Sequence, residues 1–394
     1  MTGVDRVEFA YLDRLLGDTL PLFALVATSV GPVLLDWRGA GGLAERFTGR
    51  TAWGKPDLLS RLSRKLTEAR QGAEADVRRL GIARALPHRL APMLRRHLPP
   101  GVAYLNTGHS NLTDAVFAAV RGLPGGRSTI LIHDTIPLDY PQFTRPDTVA
   151  LFEAKLRRVA AMADLVIYNS AQSRADAERH FVGWGRVPPG LVAHLGADPP
   201  APDLAGHRAG ANLMPDLTRP YFVTLGTIEP RKNHAMLLDI WQGFATSLPP
   251  DQIPPLLIIG SRGWMNEAVF SRLDALPTSG AVRELTGLPD RAVAALLQGA
   301  SGALFPSHAE GFGLPLLEAA ALGVPIICND LPVYREFLAD YPVYVPVTDA
   351  YLWRTSILAL ARGKRTETSS GRTATQLPKL PTWKDHFNLV LSLS

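Results

Sequence analysis

Apolar positions along the chain alternate between two periods. Val4, Val7, Tyr11 and Leu15 share one face of a helix, with Asp5, Arg6, Asp13 and Arg14 largely off it, and Gly3 stands just before this helix. Strand-like runs follow at Phe23–Thr28 and Val33–Leu35, read as a pair of buried strands, and then a long polar, basic helical region. The spacing predicts short buried strands at residues 102–105, 129–132 and 165–168, and helices at 151–163 and 171–181. Residues 198–220, rich in Pro, Gly, Ala and Asp, read as a linker. Beyond it the alternation resumes, with strands expected at 221–225, 256–259, 302–305 and 325–328 and helices at 234–244, 290–299 and 314–322. Residues 369–381 read as a mobile segment and 383–393 as a terminal helix. Alternating strands and helices imply mostly parallel sheets. Two such series predict two Rossmann-like domains, residues 1–200 (with the terminal helix 383–394 added) and residues 201–382.

Composition agrees. A chain of 394 residues with 46% apolar and 20% charged residues is globular and long enough for two cores. A single cysteine, Cys328, excludes a disulfide framework and a Cys-rich metal site and fits a reducing compartment. Residues 20–35 are broken by Thr28, Ser29, Gly31 and Pro32, whereas a membrane span needs about 20 apolar residues. Met1–Ala10 is polar and helix-like, unlike a signal peptide. These features lead to the expectation of a cytoplasmic protein. The net charge of +5 is local: residues 61–97 hold ten Arg or Lys against Glu68, Glu74 and Asp76, interleaved with Leu62, Leu66, Leu80 and Leu86. A solvated helical face fits this, and so does an amphipathic surface resting on an anionic membrane. Nucleic acid fits poorly, because no aromatic interleaving accompanies the charge.

Three loops that follow strands carry the candidate chemistry. In Thr227-Ile-Glu-Pro-Arg-Lys-Asn-His234, Arg231 and Lys232 form a cation pair able to hold a diphosphate. In Glu310-Gly-Phe-Gly-Leu-Pro-Leu-Leu-Glu318, two carboxylates bracket a glycine turn that offers bare N–H groups at a helix start, where phosphate binds. Glu318, a turn into that helix, suits ribose hydroxyls. In Leu131-Ile-His-Asp-Thr-Ile-Pro-Leu-Asp-Tyr140, His133 and Asp134 directly follow a strand on the first domain's side of the cleft. His109 is a weaker candidate of the same kind, and Asn169-Ser170 fits either a ligand contact or a helix cap. No Asp-x-Asp, phosphate-binding Gly-x4-Gly-Lys-Ser/Thr, Gly-x-Ser-x-Gly or His–Cys metal spacing occurs.

With these motifs in hand, the chain resembles the retaining glycosyltransferases of family 4, which have the GT-B fold. E-G-F-G-L-P-L-L-E matches their Glu-x7-Glu signature, and G-T-I-E-P-R-K-N-H and G-S-R-G-W are also typical of them. I-H-D-T-I-P-L-D-Y-P-Q-F-T-R-P and N-D-L-P-V-Y-R-E resemble the branch of xanthan- and acetan-type exopolysaccharide mannosyltransferases. The resemblance implies that Arg231 and Lys232 bind the donor diphosphate and that Glu310 faces the donor sugar. It implies further that Phe312, Gly313 and Leu314 offer backbone N–H groups, that Glu318 holds the ribose and that His133 approaches the sugar from the acceptor-side amino-terminal domain. Gly3 would belong to a loop near the diphosphate, and the terminal helix would cross back to the first domain. The implied partners are a nucleoside diphosphate sugar, GDP-mannose foremost, and a glycan or lipid-linked acceptor; no metal or other cofactor is expected. In the family a central strand precedes the glycine loop. Gly3 is the third residue here, so the amino-terminal sheet is expected to lack its first strand, as if the start were assigned too late or the chain truncated. A sugar-nucleotide epimerase on the same fold and a non-catalytic nucleotide-sugar binding protein are the alternatives.

Overall fold

The computed structural model describes residues 3–62, 66–203, 217–277, 280–363 and 377–392. Most of the expected linker (204–216) and much of the expected mobile segment (369–376) lie outside the described residues. The first helix spans Gly3–Leu16 and buries Val7 and Tyr11 from the face that the spacing predicted. Gly3 stands inside its first turn rather than before it.

Three sheets follow. β1 (Phe23–Thr28), β2 (Gly31–Asp36) and β3 (Ala83–Arg84) form a small antiparallel sheet in that order. β4 (Ala103–Asn106), β5 (Arg127–Ile132), β6 (Leu165–Tyr168) and β7 (Gly190–Val192) form a parallel sheet in sequence order. The third sheet contains β8 (Phe222–Leu225), β9 (Leu256–Ile259), β10 (Val282–Leu285), β11 (Gly302–Phe305), β12 (Ile326–Cys328) and β13 (Val343–Tyr344). Its order is β10-β9-β8-β11-β12-β13, all parallel. This is the doubly wound 3-2-1-4-5-6 arrangement, which reverses between β8 and β11 and places a ligand crevice beyond their carboxyl ends.

The first two strands correct the sequence expectation. They pair with each other as an antiparallel hairpin with a two-residue loop; residues 33–35 are buried as read, but β1 is only half-buried. Gly31 closes it at φ 122°, where a Cβ would stand 2.3 Å from the Ala85 carbonyl oxygen. The amino-terminal lobe therefore holds two sheets. The outer edge of β4 pairs with no strand among the described residues.

One apolar cluster joins the lobes: Val7, Tyr11, Leu131 and Ile167 pack in it with Phe312, Phe337 and Phe387. The terminal helix Trp383–Leu391 crosses back to the first helix, as expected. Its His386 accepts from the Tyr11 hydroxyl at 2.7 Å and turns Nδ1 to the carbonyls of Ala193 and His194 at 3.2 and 3.1 Å, which requires the ring proton on Nδ1. At the cleft, the hydroxyls of Ser170 and Ser173 each donate to the Gly311 carbonyl at 3.0 Å. Glu336 reaches across to accept the N–H groups of Ala171 and Gln172 at 2.7 and 2.8 Å.

Candidate functional site

Between the lobes lies a cavity of about 640 Å³. The nine site residues that the resemblance implied line it: Gly3, His133, Arg231, Lys232, Glu310, Phe312, Gly313, Leu314 and Glu318.

β8 ends at Gly226, and the chain turns through a short 3₁₀ segment, Pro230–Lys232, before Asn233 at φ 54° starts the helix His234–Ser247. That turn directs two cations at one carboxylate. Arg231 Nη1 and Lys232 Nζ donate to separate oxygens of Glu310, each at 2.5 Å. Arg231 also binds Glu229 at 2.6 Å and the Ala309 carbonyl at 2.8 Å, so its guanidinium is fixed on three sides. Burial works to raise the Glu310 carboxyl, but Arg231 and Lys232 outweigh it and hold the group down to about 2. Burial lowers the Lys232 ammonium against the pull of Glu310.

After β11 the chain passes Glu310 and reaches Gly313 at φ 105°, where a Cβ would stand 2.8 Å from the Tyr334 ring. Only glycine fits there. The helix Leu314–Ala321 starts at once, with Pro315 in its first turn. The side chains of Phe312 and Leu314 are buried, and the Phe312 ring stacks on Phe337 at 4.7 Å. What this turn presents to the cavity is therefore main chain. Glu318, one turn on, is ion-paired with Arg6 of the first helix. Sequence reasoning put Arg6 merely off the apolar face; its partner is 312 residues away, so no local signal could have revealed the pair.

From the other lobe, β5 delivers His133 and Asp134. His133 is buried, and its Nε2 donates to the Thr107 carbonyl at 2.6 Å. Burial keeps its imidazole neutral. Burial also raises the Asp134 carboxyl, although Arg231 and His133 draw it the other way. His109 stands behind His133 rather than in the cavity, ring against ring at 5.1 Å. At Asn169-Ser170 the helix-cap reading is met by Ser170. Ser170 caps the helix Ala171–Gly183 by accepting from Ser173 N at 2.9 Å. Asn169 lines the cavity, donating to the His133 carbonyl at 2.9 Å and leaving its buried Oδ1 without a protein partner. Gly3 lines the cavity as well, but a Cβ there would meet nothing within 4 Å, so close approach does not require glycine in this state.

The basic region differs from its sequence reading. Arg78 is buried and paired with Asp57 and Glu74, and Arg79 is paired with Asp76. Arg78 ties the helix Glu68–Leu80 to Asp57, ahead of the short helix Leu58–Leu62, whereas Arg79 pairs within its own helix. Arg84, Arg89, Arg95 and Arg96 are exposed, as are Ile82 and Leu86. Among the described residues no helix is long and apolar enough to cross a membrane.

Residues 211–368 match the family model described as "Glycosyl transferases group 1". The serotype-specific mannosyltransferase WbdA of Escherichia coli is 30% identical over 238 residues, covering 56% of this chain and 28% of that protein. The O-antigen chain mannosyltransferase B of Escherichia coli is 28% identical over 221 residues, covering 54% of this chain and 56% of that protein. The matches thus span between about a quarter and about a half of these relatives' lengths. Among solved structures, sucrose-phosphate synthase from Thermosynechococcus elongatus superposes with a TM-score of 0.57 at 19% identity, over 78% of this chain and 76% of that one. Anabaena Alr3699/HepE, solved in complex with UDP and glucose, gives 0.54 at 14% identity, over 78% and 80%. These likenesses bear out the GT-B fold expected from the sequence, and the family match falls on the lobe with the glycine turn.

Proposed function

We propose that this protein is a retaining glycosyltransferase that moves a hexose from a nucleoside diphosphate sugar to a hydroxyl of a glycan in surface polysaccharide synthesis. One observation carries the reading: Arg231, Lys232, Glu310 and the Gly313 turn converge on a single cavity that faces His133 of the other lobe. Cations and exposed amides at a helix start suit a departing diphosphate, and a cleft closed by both lobes limits water. Mannose is the leading sugar and GDP-mannose the leading donor, supported by relatives that are named mannosyltransferases.

In this reading Arg231 and Lys232 grip the diphosphate and Glu318 takes the ribose. Glu310, ionised at any working pH, stabilises the positive charge that develops at the anomeric carbon. The acceptor oxygen bonds to that carbon on the face from which the diphosphate oxygen departs, and the acceptor proton passes to the departing oxygen. Asn169 Oδ1 and His133 stand where sugar hydroxyls need partners. A lipid-linked acceptor at the inner face of the cell membrane would give the exposed Arg84, Arg89, Arg95 and Arg96 an anionic surface to rest on.

A thermal-shift screen of GDP-, UDP- and ADP-sugars tests the donor, since binding to the folded state alone raises the melting temperature. Lys232→Ala should then lower turnover by about 10²–10³ with the chosen donor. Near wild-type turnover would remove Lys232 from the mechanism.

A further inference from the structure

The donor-site reading assigns Glu318 to the ribose, yet the carboxylate is already engaged: Arg6 donates to its Oε1. The Glu318 side chain is 8% exposed and that of Arg6 34%, so the carboxylate is enclosed while its cationic partner reaches solvent. Both residues line the cavity, and they come from opposite lobes. Arg6 takes Oε1, so a ribose that donates one hydroxyl to each oxygen of Glu318 competes with the guanidinium for it. A second carboxylate faces the same arm. Asp290, in the first turn of the helix Asp290–Gln298, lines the cavity and attracts Arg6.

We propose that Arg6 is a partner-exchanging residue: it fills the ribose position in the empty enzyme, and the incoming nucleotide displaces it from Glu318 to Asp290. The exchange rests on the donor-site reading above and extends it. Glu318 is never left as a buried, unpaired charge, because the guanidinium leaves only as the ribose hydroxyls arrive. Donor binding in the carboxyl-terminal lobe is thereby linked to the first helix of the other lobe. That helix also carries Tyr11, the partner of the terminal helix. Arg6 acts through Glu318, so it is a positioning residue.

Simple loss of affinity in a variant would not distinguish exchange from attraction between Arg6 and a diphosphate. The ratio of two affinities does. Calorimetry first finds which of GDP, UDP and ADP binds the full chain most tightly, then compares it with its 2′,3′-dideoxy form. Both carry the same diphosphate, so their ratio isolates the ribose contacts. Arg6→Ala should raise that ratio about fivefold, equivalent to about 1 kcal/mol, because Glu318 is then free beforehand. Asp290→Asn should lower it severalfold, since the displaced arm has lost its second partner. In Glu318→Ala the ratio should fall close to one, and adding Arg6→Ala should then change nothing. An Arg6→Ala ratio equal to or below that of the wild type overturns the exchange. If no nucleoside diphosphate binds the wild type at millimolar concentration, the donor-site reading falls and the exchange with it. Nucleotide binding with an unmoved ratio sinks the exchange alone. Circular dichroism of each variant confirms that it is folded.

Discussion

Gly311→Ala tests whether the closed arrangement of the lobes is the working one. Gly311 lies between Glu310 and the glycine turn, against the end of β5. A Cβ there would stand 2.3 Å from the His133 carbonyl oxygen and 2.8 Å from the Asp134 Cβ. The oxygen belongs to the backbone, so no rotamer change relieves the contact. The His133 carbonyl is further fixed by the Asn169 amide, which donates to it at 2.9 Å. Overpacking of this kind costs about 1–3 kcal/mol. The cheapest relief is for the lobes to part, which also gives up the two hydroxyl bonds to the Gly311 carbonyl, about 1 kcal/mol each. A penalty of about 2 kcal/mol lowers the closed-to-open ratio roughly 30-fold, so where the two forms are near balance the closed population falls about 15-fold. The expected result is a fall of about 10- to 100-fold in kcat/KM with a larger radius of gyration by small-angle scattering. Each lobe keeps its own sheet, so far-ultraviolet circular dichroism should stay unchanged. Wild-type turnover with an unchanged scattering curve would refute the reasoning, for it would mean that the cleft accommodates a methyl group without opening.

The sequence made most of the carboxyl-terminal lobe legible because its signals are local. β9 and β11 match their expected bounds, and Gly313 announces its turn through its neighbours Gly311 and Leu314. Short or less apolar elements escaped. β7 has three residues, all half-buried, and β10 and β13 alternate too weakly to stand out. The hairpin β1–β2 was read as two strands, but its pairing partner was not, since period-2 alternation says nothing of which strand lies alongside. At the site, residue types pointed to the cations and carboxylates. What they could not supply was the pairing across lobes: Arg6 with Glu318, and Glu336 with the start of the helix Ala171–Gly183. Such contacts span more than 160 residues and leave no periodic trace. Arg78 shows the reverse case, a charge that looked solvated until Asp57 was found beside it.

Other expectations follow from single contacts. Glu336→Gln weakens the capture of the Ala171 and Gln172 N–H groups and should loosen the cleft, read as faster hydrogen exchange at those amides; unchanged protection there would show the latch to be incidental. Burial pushes the Glu336 carboxyl up, but His194 and the two N–H groups hold it below its ordinary value. Its folded-state contribution is therefore present above the ordinary carboxylate range and lost as pH falls through the lowered value, and the Gln variant should lack that acid-side loss. His234 and His386 are buried, and burial holds each down to about 4 from 6.5. The unfolded chain takes up protons that the folded one refuses, so stability should fall on acidification from pH 6.5 towards 4, by up to about 3 kcal/mol per histidine. A flat melting temperature across that window contradicts the burial of these rings. Reversal of Arg89, Arg95 and Arg96 to Glu should release the protein from anionic vesicles, and unchanged co-sedimentation would exclude this face as the contact.

The charges of the cleft explain why the site is built from pairs rather than from free cations. Arg231 and Lys232 are almost wholly enclosed, with side chains 19% and 12% exposed, and two unpaired cations there would carry a heavy desolvation cost. Glu229 and Glu310 offset them one for one. The two cations are thus matched by two carboxylates. On the proposed reading an arriving diphosphate adds negative charge to a balanced set, and the balance must come from the main-chain amides at Gly313 and from the sugar as its bond to oxygen lengthens. Attraction then grows as the anomeric carbon becomes positive beside Glu310, and it is weaker for the intact donor. Stabilisation of this kind favours the transition state over the ground state. It makes Glu310→Gln the informative change. That variant keeps the shape but frees both cations, so it should bind nucleoside diphosphate more tightly while turning over at least 100-fold more slowly. Calorimetry alongside a turnover assay separates the two effects. Weaker nucleotide binding in Glu310→Gln would contradict the claim that Glu310 restrains the cations.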